Sequence, residues 1–212
     1  MGVSVTEARL HETRVYEPSN EFPHANVTGE AYARAAADPV AFWEDAARRL
    51  DWSEPWHTAH EWEPPIGDAV PAARWFVGGR LNVAANCVDR HVDAGHGDRV
   101  ALHFEGEQGD RVAVTYSDLQ QRVSRAANAL VALGIQSGDR VVIYLPVLVE
   151  TIVVTLACAR IGAVHSLVFG GFSAEAVRFR LEDTGAKLLV TSDGQYRRGV
   201  ATVVKTPADV AA

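Results

Sequence analysis

The run Val141-Val142-Ile143-Tyr144-Leu145 constrains this chain more than any other stretch. An unbroken apolar, largely β-branched segment suits a strand covered on both faces, the condition of a parallel sheet lying between helices. Pro146 closes it. The spacing then predicts a helix over 149–161 capped by Gly162, a strand over Val164–Val168 running into Gly170-Gly171, a Ser173-capped helix to Asp183 and a strand over Lys187–Thr191. Upstream, Leu119, Val123, Ala126, Leu130 and Leu133 form one helical face behind a capping box at Ser117-Asp118-Leu119-Gln120. Strand, helix, strand, helix, strand joined by short loops defines an α/β fold with a largely parallel sheet and right-handed crossovers.

The first half reads less regularly. Residues 1–28 carry Pro18 and Pro23 without periodicity and are expected to be an extended or disordered lead-in. Asp38-Pro39 starts a helix expected to reach about Leu50, and Asn82 caps another through about His91. Between them, Trp52, Trp56, Trp62 and Pro64-Pro65 predict an irregular segment pinned to the body by its aromatic side chains, with no strand before Gly78-Gly79. Arg99–Phe104 and Arg111–Thr115 flank a Gly-rich turn and predict a hairpin.

Composition narrows the function classes. The chain has 212 residues, is 48% hydrophobic and carries a net charge of -7, enough apolar material for a large core. No basic block interrupts the acidity, which excludes a nucleic-acid footprint. The longest apolar run, Ile152–Ala159, is too short for a membrane span, and the N-terminus lacks a secretory pattern. Both cysteines, Cys87 and Cys158, lie in apolar helical contexts and are expected to be buried thiols of a reducing cytosol. The eight histidines have no metal-ligand spacing, His165 reads as a core histidine, and Asp89-Arg90-His91 points in diverging directions along a helix.

Three motifs carry a resemblance. Trp75-Phe76, Gly79, Leu81-Asn82, Asn86-Cys87 and Asp89-Arg90-His91 form the first, Thr115-Tyr116-Ser117-Asp118-Leu119 the second, and Ala157–His165 with Gly171-Phe172-Ser173 the third. In this order they resemble the acetyl-CoA synthetase group of adenylate-forming acyl-CoA ligases, from about Ala31 onward. The resemblance implies an N-terminal extension over 29–92 and the start of an AMP-binding domain over 93–212. It implies ATP-dependent activation of acetate to an acyl-adenylate and transfer to coenzyme A, in the cytoplasm, with ATP, Mg²⁺, coenzyme A and a short-chain acid as small-molecule partners.

The resemblance also implies site residues. The turn Phe169-Gly170-Gly171 would line the coenzyme A entrance. Arg197-Arg198-Gly199-Val200 matches the group's Arg-x-Gly-Arg, which holds the 3′-phosphate, except that Val200 stands where the second arginine belongs. Arg198 then either supplies that charge from a shifted position or, like Arg197, is an ordinary surface charge. The group's phosphate loop, acyl pocket, ribose-binding Asp and catalytic Lys have no counterpart in this sequence, so no catalytic residue or metal ligand is assigned. The chain alone is expected to be inactive. A silent fragment, a coenzyme A-binding or interaction module, and a propionate or acetoacetate ligase fragment remain alternatives. The Lys187–Thr191 strand is expected to offer an unpaired edge open to self-association.

Overall fold

The computed structural model describes Arg14, residues 27–64, 66–67 and 70–212; the lead-in expected over 1–28 lies almost wholly outside the described residues. The chain divides into two compact units, one ending at Ala47 and one spanning Arg48–Ala212.

The first unit contains α1 (Gly29–Ala37) and α2 (Pro39–Ala47), which pack on each other. Asp38 separates them and its carboxylate accepts from the Ala41 N–H at 2.9 Å, the N-cap that the Asp-Pro pair predicts. Helix α1 is an addition to the sequence expectation, and α2 ends before Leu50, which is 39% exposed.

The second unit opens with an antiparallel pair, β1 (Thr58–Glu63) and β2 (Ala72–Val77). Both strands contradict the irregular reading of this region. The Pro64-Pro65 pair that suggested it falls in sequence between β1, which ends at Glu63, and β2, which starts at Ala72, and so leaves the ladder itself intact. The aromatic side chains gather within the segment itself: Trp52, Trp56 and Phe76 meet pairwise with ring centroids 5.0–5.7 Å apart, whereas Trp62 is exposed. Asn82 caps the following helical run, its Oδ1 accepting from the Ala85 N–H at 3.1 Å. That run contains wide π-type turns at Ala85–Asp89 and Val92–His96 and buries Ala84, Asn86 and Val88. Cys87 lies beside the buried face and is exposed, against expectation; Cys158 is buried, and burial pushes its thiol up to about 11. Both are free thiols.

Strands β3 (Val100–Glu105) and β4 (Arg111–Thr115) make the expected hairpin, and α3 (Tyr116–Ala132) follows directly. Its cap is Thr115, whose Oγ1 accepts from the Asp118 N–H at 3.2 Å, and not Ser117. Gln120 consequently points elsewhere, to Asp89 at 3.0 Å. Next come β5 (Arg140–Leu145), α4 (Val149–Ile161), β6 (Val164–Phe169), α5 (Ala174–Thr184), β7 (Leu188–Thr191), β8 (Gly194–Arg197), β9 (Val200–Val203) and α6 (Lys205–Ala211). The parallel sheet has the order β6-β5-β7.

This order explains the apolar run. Strand β5 is central, so both its edges are paired and both its faces covered. Val141, Ile143 and Leu145 pack with residues of α3 and α4, whereas Val142 and Tyr144 pack with residues of α5 and α6. The sheet is anchored at its start by Asp139, which is buried, bonds the Lys187 ammonium at 2.6 Å and accepts from the Gln136 N–H at 2.9 Å.

The Lys187 hydrogen bond, and then the Gln136 N–H, hold the Asp139 carboxyl below the usual carboxylate range. A carboxyl depressed in the folded state adds stability above its unfolded value of about 3.9 and loses it as the pH falls through the lower folded value. Thermal melts of the wild-type chain should therefore show a steeper loss of Tm on acidification below about pH 4 than melts of Asp139→Asn, which should also start lower at neutral pH. Parallel curves would remove this assignment.

Candidate functional site

The carboxyl ends of β5 and β6 present the turn Phe169-Gly170-Gly171-Phe172, the place where open α/β sheets gather ligands. Three side chains fix it. Tyr144 is almost fully buried, and its hydroxyl donates to the Phe172 carbonyl at 2.8 Å and, more weakly, towards the Gly170 carbonyl at 3.4 Å. Burial pushes the Tyr144 phenol up from its ordinary range, so it stays a donor. From β8, the Gln195 amide donates to the same Gly170 carbonyl at 2.9 Å. From α5, the Arg180 guanidinium lies 5.4 Å from the Phe172 ring centroid.

The glycines are required for close approach, since neither adopts a positive φ. A Cβ on Gly170 would stand 3.0 Å from the Pro146 nitrogen and 3.3 Å from the Leu145 carbonyl carbon, both fixed backbone. One on Gly171 would stand 2.3 Å from the Arg197 Nη1 and 3.0 Å from the Phe169 ring. Gly171 is thus the floor on which Arg197 rests, with Phe169 as its wall: the guanidinium carbon is 5.5 Å from that ring centroid.

Gly170→Ala should accordingly cost stability, about 1–3 kcal/mol, because backbone must move to admit the methyl group. Gly171→Ala should leave the melting temperature nearly unchanged and instead displace a flexible guanidinium. Differential scanning calorimetry of the two variants checks the contrast. Equal melting temperatures would show that the β5–β6 ends are not packed as described.

Strands β8 and β9, which sequence reasoning missed, deliver Arg197. They form a two-residue hairpin with Arg198 and Gly199 at its tip, both with positive φ (54° and 77°). That is the turn whose twist matches paired strands, and the X-Gly pair between two short β-favouring runs was the available signal. The register places Arg197 opposite Val200 and Gln195 opposite Thr202, so Val200 shares the face of the hairpin that carries Arg197 and Gln195. Arg198 occupies the exposed tip. Neither Arg197 nor Arg198 is engaged by a carboxylate among the described residues.

The structure thus gathers Phe169, Gly170, Gly171 and Arg197 in one place and leaves Arg198-Gly199 at the rim. The helix N-terminus beside them is partly self-satisfied, Ser173 Oγ accepting from the Ala176 N–H at 3.3 Å. Elsewhere, Asp89, Arg90 and His91 separate as expected: Asp89 bonds Arg160 at 2.7 Å, Arg90 donates to the Arg49 carbonyl at 2.8 Å, and His91 stacks on Tyr116 at 4.6 Å. Among the described residues, no three His, Cys, Asp or Glu side chains converge as a metal site, and no helix is long and apolar enough to cross a membrane. An exposed arginine fork over glycine backbone and an aromatic face suits an anionic, ring-bearing ligand.

Comparison with known proteins gives this arrangement its context. Residues 88–211 match the AMP-binding enzyme family, and residues 28–87 match the acetyl-coenzyme A synthetase N-terminus. The chain belongs to the AMP-binding enzymes. Within them it is similar to acetyl-coenzyme A synthetases: 56% identical to that of Streptomyces avermitilis, covering 97% of this chain and 31% of that protein. It is 56% identical to that of Mycolicibacterium smegmatis, over 92% of this chain and 20% of that protein. To that of Mycobacterium tuberculosis it is 54% identical, over 98% of this chain and 31% of that protein. The chain therefore spans no more than about a third of the length of these relatives.

Proposed function

We propose that this chain forms the coenzyme A-facing part of an acetate–CoA ligase, an enzyme that converts acetate, ATP and coenzyme A to acetyl-CoA, AMP and diphosphate through acetyl-adenylate. The observation that carries the reading is Arg197, engaged by no carboxylate among the described residues and seated on Gly171 and Phe169. Its guanidinium fork takes the 3′-phosphate of coenzyme A, assisted by Arg198 from the hairpin tip. Phe169, Gly170 and Gly171 line the route by which the thiol reaches the adenylate. Tyr144 and Gln195 hold that turn in place.

The adenylation chemistry itself, with ATP and Mg²⁺, belongs to other parts of the ligase, in keeping with relatives about three times as long. The substrates of this reaction are small metabolites, and a cytoplasmic location is part of the proposal. Residues 29–92 act as the extension and 93–212 as the start of the AMP-binding domain. The 212-residue chain by itself makes no acetyl-CoA.

The test is calorimetric titration of the chain with coenzyme A and with dephospho-coenzyme A, which lacks the 3′-phosphate. Binding of the first, and weaker binding of the second, is the expected result. No heat with coenzyme A, or equal affinities, would end the reading. A second property follows from the sheet. Among the described residues, strands β6 and β7 each pair on one side, with β5, and Val164, Leu167 and Phe169 on β6 are each at least half exposed. Such an edge favours self-association, so light scattering should show a mass that rises with concentration; a monodisperse monomer would refute it.

A further inference from the structure

The Arg197–Val200 turn already holds an anion, supplied by the chain itself. Gly199 donates its N–H to Glu107 Oε1, a contact between residues 92 apart in sequence. Glu107 lies in the β3–β4 connection, which is a closed turn: the Gly106 N–H donates to the Asp110 carbonyl at 2.8 Å and the Gly109 N–H to the Gly106 carbonyl at 2.9 Å. On the same hairpin Arg111 pairs with Glu105 at 3.0 Å, and the Asp110 carboxylate lies back against Gly106. Glu107 is thus the charge the β3–β4 hairpin delivers to the arginine-bearing turn.

The geometry has two consequences. Gly199 follows Arg197 and Arg198 in the same hairpin, and no carboxylate pairs with either guanidinium among the described residues, so its N–H belongs to a locally positive stretch of chain, a setting that attracts anions. A carboxylate on that amide occupies the donor and lowers the positive potential of Arg197 and Arg198 without forming a salt bridge to either.

We propose that Glu107 is a tethered competitor: its carboxylate occupies the Gly199 amide in the empty chain and must withdraw when the phosphate of an incoming nucleotide engages the arginine turn. This rests on the coenzyme A reading above and adds to it a residue from a different hairpin that sets the strength of the site. Replacing the carboxylate by an amide weakens the competition for the Gly199 N–H, since an amide oxygen is a poorer acceptor than a carboxylate, and removes a like-charge repulsion of the phosphate. At low salt, removing a carboxylate from beside a phosphate site is worth about threefold or more in affinity. The gain fades as salt screens the charges.

The experiment compares the full chain with Glu107→Gln and Arg197→Ala, titrating each with coenzyme A and dephospho-coenzyme A at low and high salt. In parallel, the Gly199 amide resonance is followed by NMR without ligand. Glu107→Gln should bind coenzyme A about threefold or more tightly at low salt, with a smaller gain at high salt and none for dephospho-coenzyme A. Its free Gly199 amide should shift away from the position it has when bonded to a carboxylate. A purely structural role for Glu107 would instead change both ligands alike. If Arg197→Ala weakens binding while Glu107→Gln leaves it unchanged, the competitor is wrong and the coenzyme A reading stands. If Arg197→Ala has no effect, that reading falls. If none of the three chains binds coenzyme A, the competitor falls together with the coenzyme A reading, and an unmoved Gly199 resonance would show in addition that the carboxylate contact is not made in solution.

Discussion

Replacing Arg197 by alanine should weaken coenzyme A binding by about tenfold and leave dephospho-coenzyme A binding nearly unchanged. A hydrogen bond to a charged group contributes about 1.5–3 kcal/mol, and 1.4 kcal/mol is tenfold in affinity; the lower end applies because Arg197 is exposed. Arg197→Lys separates charge from shape. It keeps the positive charge but loses the planar fork that lies on Phe169, so it should fall between wild type and alanine. Val200 offers the reverse experiment. Since it faces the same side of the hairpin as Arg197, Val200→Arg should tighten binding and steepen its salt dependence. Arg198→Ala should cost less than Arg197→Ala, because Arg198 sits at the tip in a left-handed conformation and has no platform beneath it. If Arg198→Ala has the larger effect, the shifted charge is the main phosphate ligand and Arg197 serves only to pack the turn.

What the sequence revealed depended on how local the deciding interactions were. The β5–β7 core was legible because burial on both faces imposes an unbroken apolar run, and because each intervening helix carries its own stop or cap at Gly162 and Ser173. The cap of α3 was misread by two residues. Thr115 and Ser117 are both competent acceptors, and the choice fell to the end of β4, which leaves Thr115 extended with ψ of 165°. Strand β1 was hidden by prolines that lie in its connection to β2. The site was legible only in part. The Gly-Gly turn was readable from the strand before it and the Ser173 cap after it, whereas its ligand and the roles of Arg197 and Arg198 came from resemblance, since two arginines in a row carry no geometric signal of their own. Gln195, Tyr144 and Glu107 were invisible, because each acts across 25 or more residues on a backbone group, and a carbonyl or amide leaves no trace in the side-chain sequence.

Two adjacent residues on β5 should respond to mutation in opposite ways. Ile143 has no exposed surface, points into the layer shared with α3 and α4, and stands between Leu167 and Val190 in register. Ile143→Ala removes buried methyl groups from the centre of the sheet, where both neighbouring strands prevent collapse, and should cost about 2–5 kcal/mol. Against a total of about 5–15 kcal/mol that is a large share, and at this chain length it lowers Tm by roughly 5–15 °C. Whatever folded protein remains should bind coenzyme A as before, because the turn and Arg197 lie on other contacts. Tyr144 faces the opposite layer, and Tyr144→Phe keeps the ring while deleting one hydroxyl. Its stability cost should be about 1 kcal/mol, the loss of a hydrogen bond that leaves the Phe172 carbonyl without its partner. The effect on binding should be the larger one, since the Gly170–Phe172 turn is then held only by Gln195 from β8 and by the Arg180 guanidinium against the Phe172 ring, and fixes the seat of Arg197 less closely. Calorimetric melts and coenzyme A titrations on the same two variants decide the matter. A Tyr144→Phe chain with unchanged affinity would show that Gln195 and Arg180 suffice to place the turn, and that the buried phenol serves the core and not the site.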